Sequence, residues 1–215
     1  MEKDLGNYRK VYIKKELLKD NVPAQPMELF QNWFSEVEQS DSSNEHNAMT
    51  ISTIGKDGYP KNRIVLLKKF NSEGFIFYTN YNSEKGKAIE LNPNVCLSFF
   101  WEGMEQQIII KGSVEKIAKN ISDDYFKSRP NGSKLGAWAS NQSAVVVSEE
   151  ELASNLKTFQ NKFKNKEIPR PKHWGGYIIK PHSVEFWQGR PNRMHDRIRY
   201  ELQGDYSWKI DRLAP

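Results

Sequence analysis

A chain of 215 residues and 25.0 kDa has room for one large domain or two small ones, and six Trp, nine Tyr and eleven Phe supply bulky core side chains that exclude disorder throughout. The net charge of +5, from 32 basic and 27 acidic residues, suits small anionic molecules as well as nucleic acid and selects neither. The single Cys96 excludes an internal disulfide, and the absence of a leader-like or membrane-length apolar run points to a soluble, cytoplasmic protein without a membrane partner.

In chain order, residues 1–25 read as a basic arm carrying aromatics (Tyr8-Arg9-Lys10-Val11-Tyr12), expected to be mobile until a ligand or a second subunit orders it. Residues 26–215 are expected to form one domain. Met27, Phe30, Trp33, Phe34 and Val37 recur at helical spacing after Pro26, which predicts a helix over about 26–39 and a polar break over 40–45. Short runs rich in β-branched and aromatic residues then predict strands over 47–54, 63–69, 74–79, 94–101 and 106–114, an antiparallel meander. Ser83 is placed to cap a short helix that Asn92-Pro93 ends. A helical middle follows: Ser122 reads as a cap, Arg129-Pro130 as a break, 133–140 as a second piece, and Ser148-Glu149-Glu150-Glu151 as a capping box for a helix to about 163. Strands resume over 173–180, 183–188, 193–202 and 206–212. Many strands, interrupted by helices that do not alternate with them, predict a mainly β fold with helical additions (α+β): a barrel, and no doubly wound sheet.

Several chemistries lack their signatures. There is no dinucleotide fingerprint, no P-loop and no nucleophile elbow, and four scattered histidines with one cysteine make no metal site. Basic residues instead cluster at possible anion sites. Arg63 and Lys68 bracket the apolar run Ile64-Val65-Leu66-Leu67, but their odd separation puts them on opposite strand faces unless a bulge intervenes or one lies at the strand's mouth; solvated strand ends are the plainer reading. Tyr78 and Thr79 lead to Ser83 and Lys85 at a helix start, where amides and a hydroxyl favour an anion. Tyr125, Arg129 and Ser133, four residues apart, could grip a phosphate or mark a surface turn. Gln107 in an apolar strand, and Gln142 with Ser143, suit either a core amide or the edge of a flavin ring. Trp187 is core or a stacking platform. In a regular strand Arg193, His195 and Arg197 would share one face, a cationic wall that suits a phosphate or an electron-rich ring, or else a protected sheet edge.

Taken together, Arg63–Lys68 (RIVLLK), 77–80 (FYTN), 125–130 (YFKSRP), 136–140 (GAWAS) with Gln142-Ser143, 174–176 (WGG), 185–189 (EFWQG), 193–197 (RMHDR) and the terminal RLAP closely resemble the pyridoxamine 5'-phosphate oxidase family over nearly the whole chain. The resemblance implies an FMN-binding split β-barrel of antiparallel Greek-key type, forming a homodimer with FMN at the subunit interface. The implied reaction oxidises pyridoxamine or pyridoxine 5'-phosphate to pyridoxal 5'-phosphate, with dioxygen as acceptor and hydrogen peroxide released. Carried over by position, Arg63, Ile64, Val65, Leu66, Leu67, Lys68, Tyr78, Thr79, Lys85, Gln107, Gln142, Ser143, Trp187 and Arg197 are the implied FMN contacts. Lys68, Tyr125, Arg129 and Ser133 are implied to hold the substrate phosphate, Arg193 and His195 to act over its ring, and Arg9 to Tyr12 to form a lid. Two positions depart from the family pattern: Glu84 and Gln106 stand where basic residues are usual, and Glu84 near a dianion is expected to weaken FMN unless it points away or pairs with Lys85 or Lys87. The rival readings are another split-barrel flavin protein, such as a reductase, and a non-catalytic binder of pyridoxal phosphate or nucleic acid.

Overall fold

The computed structural model describes residues 1–40 and 45–215, so most of the predicted polar break lies outside the described residues. The elements, in order, are α1 (Pro26–Ser40), β1 (Ala48–Ile54), β2 (Pro60–Leu66), β3 (Lys69–Asn71), β4 (Gly74–Asn80), α2 (Glu84–Leu91), β5 (Asn94–Trp101), β6 (Gln106–Lys116), α3 (Lys119–Ser128), α4 (Asn131–Ala139), α5 (Glu149–Lys162), β7 (Trp174–Gln188), β8 (Asp196–Leu202) and β9 (Trp208–Leu213). The strands form one nine-stranded sheet of order β2-β1-β5-β6-β7-β4-β3, with β8 on β7 and β9 on β8. Two compact units share these strands: residues 1–49, 97–111 and 181–215 make the first, and 50–96 with 112–180 the second.

In the first unit, α1 buries Leu29, Phe30, Trp33 and Val37, the stripe that its 3.6-residue spacing aligns. Phe30 meets Phe99 edge-on at 5.4 Å, and Trp33 meets Phe186 at 5.2 Å and 85°. Burying each such ring contributes about 2–3 kcal/mol. Tyr200, fully buried, donates its hydroxyl to the Pro23 carbonyl at 2.8 Å, which ties the residues before α1 to β8.

In the second unit, β4 is apolar and almost wholly buried, pairing antiparallel with β3 and with the first half of β7. Phe126, Ile168 and Trp174 centre a core to which Tyr78, Tyr125 and Trp138 contribute. The predicted caps of two helices are present: Ser83 Oγ accepts from the Gly86 amide ahead of α2, and Ser148 Oγ from the Glu151 amide ahead of α5.

The expected meander is not formed, since β5 pairs with β1 and β4 with β7 in place of each other, and three local predictions also need correction. The two strands expected on either side of Pro181 are one, β7. Its residues 174–179 pair with β4 and 183–188 with β8, so Pro181 lies in the changeover and its missing N–H costs neither ladder a bond. Ser122 does not cap a helix; it is buried inside α3, where its hydroxyl accepts from the Gly176 amide at 3.2 Å. Finally, β8 begins at Asp196: Pro191–Arg193 form a 3-10 turn in which Asn192 and Arg193 have φ of 56° and 61°. The alternation assumed for Arg193, His195 and Arg197 therefore does not hold, and only Arg197 lies on a strand.

Candidate active site

A cavity of about 710 Å³ opens in the second unit. Its walls come from the end of β2, the end of β4, the start of α2 and the α3–α4 break. Of the residues singled out from sequence, Ile64, Val65, Leu66, Lys68, Tyr78, Thr79, Lys85, Tyr125, Arg129, Ser133 and Gln142 line it. Asn80, Ser128, Gly136, Ser140 and Trp174 also line it; the family motifs contain them, but their residue types and spacing alone suggest no role. Lys68 lies beyond the end of β2, exposed, with its amide bonded to the Ile76 carbonyl at 2.8 Å, which resolves the parity problem in favour of the strand's mouth. Leu67 is buried in the core and does not line the cavity.

Lys85 owes its place to a tight turn. Ser83 caps α2 and donates to the Asn80 carbonyl at 2.7 Å, while a side chain at Gly86 would stand 2.1 Å from the Tyr81 carbonyl oxygen, so glycine alone lets α2 approach. Only 7% exposed, the Lys85 ammonium donates to Thr79 Oγ1 at 3.1 Å and Gln142 Oε1 at 3.3 Å, both neutral groups. Burial, reinforced by the charge of Arg63, pulls its pKa down to about 8. Arg129, released from α3 by the break before Pro130, lies over Trp174 at 4.5 Å with a buried Nη1 that has no hydrogen-bond partner among the described residues. Burial lowers its pKa from the ordinary value. Tyr78 stacks on Tyr125 (3.9 Å) and lies near-parallel to Trp174 (5.5 Å), and burial raises both phenols, so their hydroxyls stay neutral. Two under-compensated cations beside neutral hydroxyls make a site for an anion.

Arg63 and Ser143 stand outside this lining. Arg63 pairs with Glu84 at 3.3 Å. Ser143, at φ 73°, lines a neighbouring cavity of about 260 Å³ with Asn82, Glu84, Lys87 and Gln142.

The remaining singled-out residues belong to the first unit. Trp187, His195 and Tyr12 form an aromatic cluster, with Trp187 4.7 Å from His195 and Tyr12 edge-on to Trp187 at 5.7 Å. His195 Nδ1 accepts from the Arg190 amide at 3.1 Å, so the neutral ring carries its proton on Nε2. Desolvation first, and the charge of exposed Arg193 second, lower its pKa. Arg197 is held by Glu185 (2.8 Å) and the Ala214 carbonyl (2.8 Å), and the bond to Glu185 raises its pKa. Gln107 donates to Ser98 Oγ at 3.3 Å. Arg9 is exposed, bonded to the Gly6 carbonyl, and does not join the cluster. What pins the arm lay outside the sequence reading. Buried Glu105 accepts from the amides of Ile13 and Lys14, and buried Asp196 accepts from Leu17 and pairs with Arg212 and Arg190. Buried acids 92 and 179 residues away from the amides they receive leave no local signal. Among the described residues no cluster of His, Cys, Asp or Glu could hold a metal, and no helix is long and apolar enough to cross a membrane.

Residues 36–163 match the family described as pyridoxamine 5'-phosphate oxidase, and 174–215 the one described as pyridoxine 5'-phosphate oxidase C-terminal dimerisation region. A pyridoxine/pyridoxamine 5'-phosphate oxidase of Flavobacterium psychrophilum is 64% identical over 99% of this chain and all of its own, and that of Christiangramia forsetii 53% over the full length of both. Among solved structures, PhzG from Burkholderia lata, in complex with tetrahydrophenazine-1-carboxylic acid, superposes with a TM-score of 0.86 at 27% identity, covering 94% of this chain and 100% of that one. A pyridoxamine 5'-phosphate oxidase-related, FMN-binding protein of Nostoc punctiforme does so at 0.69 and 13% identity, covering 86% and 97%, and shows the shared split-barrel fold. On these matches the chain belongs to the pyridoxamine 5'-phosphate oxidase family and is an oxidoreductase.

Proposed function

We propose that the protein oxidises pyridoxamine 5'-phosphate or pyridoxine 5'-phosphate to pyridoxal 5'-phosphate, using FMN and passing the electrons to dioxygen with release of hydrogen peroxide. The observation that carries this reading is the pair Lys85 and Arg129: a buried and a half-buried cation lining one cavity, neither in an ion pair among the described residues, and the second with a buried, unpartnered Nη1. Cofactor and substrate each bring a phosphate dianion, and the second unit offers a cationic set for each. Arg63, Lys85, Thr79 and the amides opening α2 are assigned to the phosphate of FMN, with Ile64 to Leu66, Tyr78, Gln142 and Ser143 alongside the cofactor. Lys68, Tyr125, Arg129 and Ser133 are assigned to the phosphate of the substrate. The stacked Tyr78, Tyr125 and Trp174 rings under Arg129 keep that grip oriented.

Trp187, Gln107 and Arg197 are assigned to the flavin, Arg193 and His195 to the pyridine ring, and Arg9 with Tyr12 to the arm that covers it. His195, neutral at pH 7 with Nδ1 engaged, presents Nε2–H as a hydrogen-bond donor. Bound FMN supplies the hydride acceptor, so the protein's own task is orientation and charge. The match of 174–215 to a dimerisation region supports a homodimer, and a cytoplasmic location belongs to the same proposal.

PhzG supports a second reading, oxidation of a partly reduced tricyclic carboxylic acid, because Lys68 and Arg129 suit a carboxylate as well as a phosphate. The test is anaerobic titration of the flavin-loaded protein. Pyridoxamine 5'-phosphate should bleach the flavin absorption, and readmitted air should restore it with one peroxide per pyridoxal 5'-phosphate. Bleaching by a nicotinamide or a tetrahydrophenazine acid alone would defeat the proposal.

A further inference from the structure

The charges beside the start of α2 are already mutually satisfied. Lys61 and Arg63, two apart on β2, present their side chains on one face, and Glu84 at the first position of α2 reaches both. Its Oε1 takes the Lys61 ammonium and its Oε2 takes Arg63 Nη2 at 3.3 Å, while Asp57 holds Lys61 from its other side at 3.3 Å. Two acids and two bases thus alternate and cancel. Glu84 also sits where a helix's free amides favour negative charge. Its carboxylate therefore engages one feature that an incoming phosphate would use, Arg63, from a position beside another, the opening turn of α2. The Arg63 side chain is 20% exposed and that of Glu84 47%, so the carboxylate is the partner free to swing into water. The nearby Lys85 ammonium feels Arg63 as a like charge and Glu84 as an opposite one, which places all three within one electrostatic neighbourhood.

We propose that Glu84 is a built-in stand-in for the cofactor's phosphate: it holds Arg63 when no cofactor is bound, and it weakens phosphate-bearing flavins relative to phosphate-free ones. The inference rests on the FMN reading above and deepens it. Lys61 has the complementary part, drawing the displaced carboxylate away from Arg63. Removal of Glu84 then frees Arg63 for the ligand, whereas removal of Lys61 leaves Glu84 wholly on Arg63.

The experiment measures dissociation constants by flavin fluorescence quenching, with no turnover involved, for FMN and for riboflavin, which lacks the phosphate. Glu84→Gln should bind FMN about three- to tenfold more tightly, the range expected for removing one exposed like charge from a dianion, and riboflavin within about twofold of the parent. Lys61→Gln should weaken FMN several-fold in the parent background and far less in Glu84→Gln, a coupling that simple loss of a surface cation would not produce. If FMN binds the parent but Glu84→Gln leaves it unchanged, or shifts riboflavin equally, the assignment of Glu84 is wrong and the FMN reading stands. If the parent binds neither flavin, the FMN reading fails and this inference with it.

Discussion

Replacing Lys85 by Met should stabilise the cofactor-free protein. In the folded chain the ammonium is buried against neutral partners and its pKa falls from 10.5 to about 8. Below pH 8 it is charged in both the folded and unfolded states, and the folded state bears the full desolvation cost. Between pH 8 and 10.5 the unfolded chain binds more protons, so this group's contribution makes stability rise with pH and the cost disappears above that window. The drop corresponds to about 3 kcal/mol, which solvent entering the open cavity reduces to about 1–2 kcal/mol. Thr79 Oγ1 already approaches Gln142 Oε1 at 3.4 Å, so the two can satisfy each other once the ammonium is gone. Thermal unfolding of Lys85→Met at pH 7 should therefore show a Tm higher by about 2–6 °C, with the advantage vanishing near pH 10. Added FMN or inorganic phosphate should raise the Tm of the parent and barely that of the variant. A variant less stable than the parent at pH 7, or a difference independent of pH, would refute the idea that Lys85 is a strained cation awaiting an anion.

Further outcomes follow from the same geometry. Arg129→Lys should raise KM for pyridoxamine 5'-phosphate about tenfold with a smaller fall in kcat, since an ammonium cannot both stack on Trp174 and fork onto a phosphate; steady-state kinetics at saturating flavin decides it. Arg193→Ala should shift the acid limb of the kcat/KM profile to higher pH, because removing its charge lets the pKa of His195 rise; an unmoved limb would count against their coupling. Asp196→Asn should destabilise the fold by about 2–3 kcal/mol in urea denaturation, leaving Arg212 and Arg190 without their buried carboxylate. Gly86→Ala should cost more than about 2 kcal/mol and lower FMN affinity, because the new methyl meets the Tyr81 backbone, which cannot give way without moving Lys85.

Whatever depends on near neighbours was legible in the chain. The apolar stripe of α1, the β-branched and aromatic run of β5, the Ser83 and Ser148 caps and the break at Arg129-Pro130 are all local features, and each lies in the structure where the sequence puts it. The family motifs likewise marked most of the lining of the cavity. Tertiary structure alone decided which charges are compensated and which are not. Arg197 resembled a free cation in the chain and is bound by Glu185 and the carboxyl-terminal segment. Arg129 reads from the chain as either a phosphate grip or an exposed turn residue, and it is half-buried over Trp174. The chain offers Glu84 its near neighbours Lys85 and Lys87 as partners, and it pairs instead with Lys61 and Arg63 on β2, 23 and 21 residues earlier. Electrostatic partners are chosen through space, by desolvation and by whatever the sheet brings within reach. Their separation along the chain varies without rule, and local pattern cannot predict them.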